Sequence, residues 1–262
     1  MSIMNSDTPI EETLSYDELL KQNQSLRNEI AKLSSQEDYT WDMFAETSRK
    51  LQVYSASIKA AVSSLLNYDI FWDSANQHEF LETINSSVNQ VSELIVLLTL
   101  AFRGQAGSLV LKKDKQTLQE ILSVAQTNAL RKWPDIRLEV SFPPEGNPVL
   151  VDYEYLTKAL LLLYEVFFAR GCSEQICVAA SETTACWVLE FTGVDSPIID
   201  VIEQMYHCKT QPAAIDFLSS ENILRLHITC EILHLQEISV YVLAEPEQPR
   251  MLRLCIPVVK PV

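Results

Sequence analysis

The chain has 262 residues, 47% of them hydrophobic and only 5 glycines, so it can bury sizeable cores but has little material for a glycine-rich phosphate loop. Its 35 acidic against 20 basic side chains give a net charge of −15, a surface that repels nucleic-acid phosphates and anionic lipid headgroups alike. No apolar run reaches the roughly 18 residues that cross a bilayer, because Ala159–Ala169 is too short and contains Glu165. The N-terminal MSIMNSDTPIEETLS has no apolar signal core, so a soluble, cytoplasmic protein is expected, with no nucleic acid or membrane among its partners.

Residues 1–14 read as a disordered leader. From 15 to 35, Tyr16, Leu19, Asn23, Leu26, Ile30 and Leu33 recur at steps of three and four. That is a heptad pattern with one polar residue at an a position, the device that fixes register in a two-stranded coiled coil. A single amphipathic helix packing on its own chain fits the same pattern. Ser34 to Asp38 is expected to interrupt it. A second helix then runs from about Tyr39 to Tyr68, with Phe44, Leu51, Ile58, Val62 and Leu65 at helical spacing. Asp69–Gln77 reads as a turn. A third helix follows over His78–Arg103, with Phe80, Ile84, Val88, Val91, Leu94, Ile95, Leu98 and Phe102 as its stripe. Residues 39–104 thus form an antiparallel hairpin. Stripes this wide exceed one partner, which predicts a homodimeric four-helix bundle.

Beyond Gly104 and Gly107 the periodicity changes. Leu109–Leu111 reads as a strand, Lys115–Lys132 as a helix, Arg137–Phe142 and Val149–Val151 as strands, and Tyr153–Ala169 as an apolar helix. A β-hairpin over Gln175–Ala180 and Cys186–Phe191 follows. Helices near Ile198–Tyr206 and Asn222–Leu235 come next, and strands at Ser239–Leu243 and Arg250–Val258 close the chain. The fold class is α+β: a coiled coil and helical hairpin, then, over 108–262, an α/β sandwich with helices on one face of a mixed sheet. The six cysteines form no Cys-x-x-Cys pair and no zinc spacing, so they read as free thiols, and no metal site is expected. His227 and His234 lie seven apart on one helix rather than the four a metal pair uses.

The order of these parts resembles the cytoplasmic core of a sensor histidine kinase, from about residue 15 to 260. The family's phosphoacceptor helix carries a motif like S-H-E-L-R-T-P-L-T-S-I-K. Here Ser48-Arg49-Lys50-Leu51-Gln52-Val53-Tyr54-Ser55-Ala56-Ser57-Ile58-Lys59 resembles it, with arginine at the histidine, lysine at the neighbouring acid and Tyr54 at the proline. A guanidinium stays protonated and cannot be the nucleophile.

The nucleotide motifs of the family are altered in the same way. Its N-L-x-x-N-A box is similar in place to Leu162-Leu163-Tyr164-Glu165-Val166-Phe167, where both asparagines are apolar. Its D-x-G-x-G matches Gly193-Val194-Asp195-Ser196-Pro197. Its lid, G-x-G-L-G-L, matches Glu221-Asn222-Ile223-Leu224-Arg225-Leu226 with every glycine replaced. Without glycine the backbone cannot approach phosphates closely, and Glu221 would repel them.

The resemblance therefore implies a scaffold that has lost the reaction. It implies that no autophosphorylation, no cofactor and no catalytic residue are expected in a degenerate nucleotide cleft around Glu165, Val166, Gly193, Asp195, Glu221, Ile223 and Arg225. It would be a bacterial two-component-type protein that docks a response regulator or a true histidine kinase through Arg49, Lys50, Gln52 and Val53. Three alternatives stand beside this: a phosphatase-like regulator, a residual kinase, and a coiled-coil dimer with an unrelated pocket. Arg49 and Lys50 read equally as a basic docking patch or as ordinary solvated charges. Glu165 reads as a partly exposed side chain at a helix edge, and Gln52 as an exposed amide.

Overall fold

The computed structural model describes residues 16–67, 74–143, 146–169, 175–208, 217–243 and 250–259. The leader, Cys172 and residues 69–73 of the expected turn lie outside them, as do the side chains of Tyr16, Leu19, Leu26, Ile30, Leu33, Phe44 and Cys208. The chain divides into two compact units, Met1–Trp41 and Asp42–Val262. The first holds the start of a single long helix, on which Asn23 is exposed.

That helix, α1 (Tyr16–Asn67), is continuous, so the expected break at residues 34–38 is absent. Ser34, Ser35, Gln36, Glu37 and Asp38 include neither Gly nor Pro. Each weakens a helix by no more than about 0.7 kcal/mol, and none removes a backbone donor. The second helix, α2 (Ser74–Gln105), begins inside the expected turn. It ends where glycine is needed: Gly107 has φ +60°, Ser108 N–H donates back to Arg103 O, and Gly107 N–H donates to Gly104 O.

The sandwich follows within the second unit. The strand expected at Leu109–Leu111 lies instead at β1 (Asp114–Gln116), antiparallel to β3 (Val149–Val151). Leu109 is buried, and Lys112 N–H donates to the Asp152 carboxylate at 2.7 Å, so this stretch is pinned by side chains before pairing starts. Because β1 uses Lys115 and Gln116, α3 (Leu118–Lys132) starts three residues later than its pattern suggests. β2 (Arg137–Ser141), α4 (Tyr153–Phe168), β4 (Gln175–Glu182), β5 (Cys186–Thr192), α5 (Ser196–Cys208), α6 (Ser220–Leu235), β6 (Ser239–Leu243) and β7 (Met251–Pro257) fall close to expectation.

The main sheet has the order β2-β4-β5-β7-β6, parallel between β2 and β4 and antiparallel elsewhere. Inward residues alternate along β4 and β7, as in Ile176, Val178 and Ala180 or Leu252, Leu254 and Ile256. Phe191 meets Tyr164 and Phe167 of α4 at ring separations of 6.4 and 6.0 Å. Cys230 is a buried thiol, while Cys177, Cys186 and Cys255 are half-buried and free. Among the described residues no helix is long and apolar enough to cross a membrane.

Candidate functional site

α4 and α6 define the site, and each is started by a side-chain cap. The Asp152 carboxylate accepts from Tyr155 N–H, and the Ser219 hydroxyl accepts from Asn222 N–H. A buried amide then locks the end of α6 to the start of α4. Gln236 Oε1 accepts from Asp152 N–H at 2.8 Å, and Gln236 Nε2 donates to Asp152 O at 3.2 Å. With both helices fixed, Glu165 of α4 and Arg225 of α6 face each other.

Arg225 is the hub of an ion-pair lattice. Its Nε donates to Glu165 Oε2 at 2.6 Å, Nη1 to Asn222 Oδ1 at 3.2 Å, and Nη2 to Glu93 Oε1 at 3.1 Å and to Glu221 Oε1 at 2.5 Å. Lys132 closes a ring by donating to Glu93 at 2.8 Å and Glu165 at 2.9 Å. Lys50 extends it, donating to Glu221 at 3.3 Å. Three cations and three carboxylates from α1, α2, α3, α4 and α6 thus alternate with no charge left over.

Electrostatics follow from that alternation. Burial pushes the Glu93 carboxyl up, but hydrogen bonds and attraction from Lys132 and Arg225 outweigh it and hold the group below its ordinary value. Burial likewise pulls Lys132 and Arg225 down, and their glutamate partners more than reverse it. Beside the lattice, burial and then the Glu221 carboxylate push the Tyr54 phenol up. Each charge in the lattice has a neighbour of opposite sign within ion-pair distance.

This corrects the reading of Glu165 as a helix-edge residue. It is 4% exposed and bound by two cations. A carboxylate that deep in an apolar helix requires partners, and no local spacing names them. Glu93 and Lys132 went unnoticed for the same reason: one looks like a break in an apolar stripe, the other like an ordinary cation in a helix's last turn.

The remaining residues are spread around this centre. Val166 and Ile223 are buried. Gly193 has φ +83°, and a Cβ there would lie 2.3 Å from Gln175 O, so it serves the turn after β5. The Asp195 carbonyl accepts from Ile198 and Ile199 N–H at the start of α5. On α1, Gln52 and Val53 are exposed, whereas Lys50 belongs to the lattice. Arg49 is exposed and pairs with Glu46 three residues back, so its charge is matched within its own helix. Arg49 and Lys50 therefore point to separate partners rather than forming one free basic patch. His78 is exposed and pairs with Glu82. No group of three or more potential metal ligands occurs among the described residues.

α2 carries two further features. On one side Leu97 and Ala101 are buried with Ala159 and Leu162 of α4 and Leu224, Ile228 and Ile232 of α6. On the other, Leu81, Val88, Ile95 and Phe102 recur every seven residues and stay exposed. Among the described residues of α1, Val53, Val62 and Leu66 are the exposed large apolar side chains.

The comparisons agree with this architecture. The structure is similar to the histidine kinase AdeS of Acinetobacter baumannii, with a TM-score of 0.55 and 10% identity over 80% of this chain and 98% of that one. It is also similar to full-length ShkA, solved in complex with AMPPNP, with a TM-score of 0.50 and 15% identity over 87% of this chain and 47% of that one. No protein-family model matches the sequence, and no curated protein matches it. The fold is that of a sensor-histidine-kinase core, a helical hairpin joined to an ATPase-like α/β sandwich, and this is the class the chain resembles.

Proposed function

We propose that this chain is a catalytically silent, histidine-kinase-like signalling protein that works as a homodimeric scaffold or docking module in a two-component-type pathway. The observation that carries the reading is the Arg225–Glu165 pair. The region between α4 and α6 that the resemblance assigns to nucleotide holds a guanidinium bound to carboxylates, and Leu97 and Ala101 of α2 pack against apolar residues of the same two helices. A triphosphate there would have to displace those carboxylates and face Glu221. Calorimetric titration with Mg-ATP should give no binding heat, and micromolar affinity would overturn the proposal.

The dimer rests on the exposed heptad of α2, which runs for roughly 30 Å at 1.5 Å per residue. Charging it with Val88→Asp and Ile95→Asp should convert dimer to monomer in sedimentation velocity. A wild-type monomer at micromolar concentration would remove this part. The partner is a response regulator or a true histidine kinase. Gln52, exposed on the same helix as Arg49, favours a second reading as a phosphatase-like regulator. Timing the decay of a phosphorylated regulator with wild type and with Gln52→Ala separates the two.

A further inference from the structure

α2 meets the sandwich through two chemically different contacts. Leu97 and Ala101 supply an apolar one against α4 and α6. One turn toward the N-terminus, the contact becomes ionic, with Glu93 bound by Lys132 and Arg225. The apolar contact, to which Leu98 and Leu100 add, is non-directional and discriminates weakly between positions. The ionic contact does choose one. Three of the Arg225 nitrogens have particular acceptors, and those acceptors come from three helices. Sliding α2 by one turn, about 5.4 Å, would carry Glu93 beyond reach of both cations and leave their charges half-buried and under-compensated.

We propose that the lattice is a register latch. The apolar cluster holds the sandwich against α2, and the ion pairs select the single position at which it is held. Lys50–Glu221 ties α1 to the same point. Buried ion pairs add little net stability against apolar replacements, and their best-attested role is to exclude alternative registers. Lys50–Glu221 and Lys132–Glu93 are the more accessible links of the latch, part-buried and half-exposed, while Arg225–Glu165 is closed off from water. Release therefore begins at the more accessible links and leaves the buried pair for last. The latch stands whether or not nucleotide binds, because it is built wholly from side chains of this chain.

Hydrogen exchange read by mass spectrometry on the full chain tests it. Glu93→Gln keeps the shape and removes the charge. We expect at least tenfold faster exchange over residues 84–103 and 47–58, with amides of β4, β5 and β7 within twofold of wild type. Lys50→Met touches only the peripheral, part-buried link, so it remains readable if Glu93→Gln does not fold. It should speed residues 47–58 alone. Unchanged helices in both variants would overturn the latch, and so would helices and sheet speeding up together, which would make the lattice a general support of the fold.

Discussion

Replacing Arg225 with Met keeps the length and apolar stem of the side chain and deletes the hub of the lattice. Glu165, 4% exposed, then retains only Lys132 at 2.9 Å, and Glu93 only the same lysine at 2.8 Å. Two carboxylates would share one ammonium, and the lattice would carry one uncompensated negative charge. Breaking a buried pair from one side costs about 3–5 kcal/mol. Glu93 and Glu221 are partly exposed and can recover water, so the lower end, about 3 kcal/mol, is expected. For a unit of this size that is a fall of about 6–12 °C in Tm. Adding Glu165→Leu restores neutrality, since Lys132 keeps Glu93 and Lys50 keeps Glu221. The double variant should return to within about 1 kcal/mol of wild type. Urea unfolding followed by circular dichroism, at one fixed protein concentration, measures both. A single variant costing under about 1 kcal/mol, or a double variant no better than the single, would refute the reasoning.

The lattice also predicts a pH signature. Glu93 is held below its ordinary value, so its contribution is present above that value and is lost as pH falls through the folded one. The Tm gap between wild type and Glu93→Gln should therefore be open at pH 7 and close on acidification below about pH 4. Lys132 is held above its ordinary value, so its contribution is present at neutral pH and is lost only in strong base. Gly193→Ala combines a left-handed backbone with a Cβ 2.3 Å from Gln175 O, and should lower stability by about 2 kcal/mol or more in the same urea assay. Burial pushes the Cys230 thiol up to about 12, so a disulfide reagent at pH 7.5 should leave it unlabelled until urea is added.

How far the sequence could be read depended on which physical signal each element leaves. A strand such as Arg137–Ser141 was legible because apolar Leu138 and Val140 alternate with outward polar residues. The helices of the sandwich were legible from apolar spacing, whereas the Ser219 cap of α6 appears only in the fold. The run through Ser34–Asp38 misled because polarity was taken for a break, and a helix needs Gly or Pro to be broken there. Leu109 misled in the opposite direction: it is buried by packing beside Gly104, a tertiary contact that looks like a strand in one dimension. The lattice was the least legible part. Glu93, Lys132, Glu165 and Arg225 lie far apart in the chain, and no local period links them. Only the folded register of five helices shows that each charge has a neighbour of opposite sign.

The burial of Leu97 and Ala101 against α4 and α6 has a consequence for modularity. A polypeptide begun at Gly107 would contain every strand of both sheets and still not be a finished domain. It would carry bare leucine and isoleucine on α4 and α6, Arg225 and Lys132 without Glu93, and Glu221 without Lys50. A sandwich lifted out at that point is expected to unfold at lower urea than the full chain. In this chain the last turns of α2 are a component of the domain they introduce.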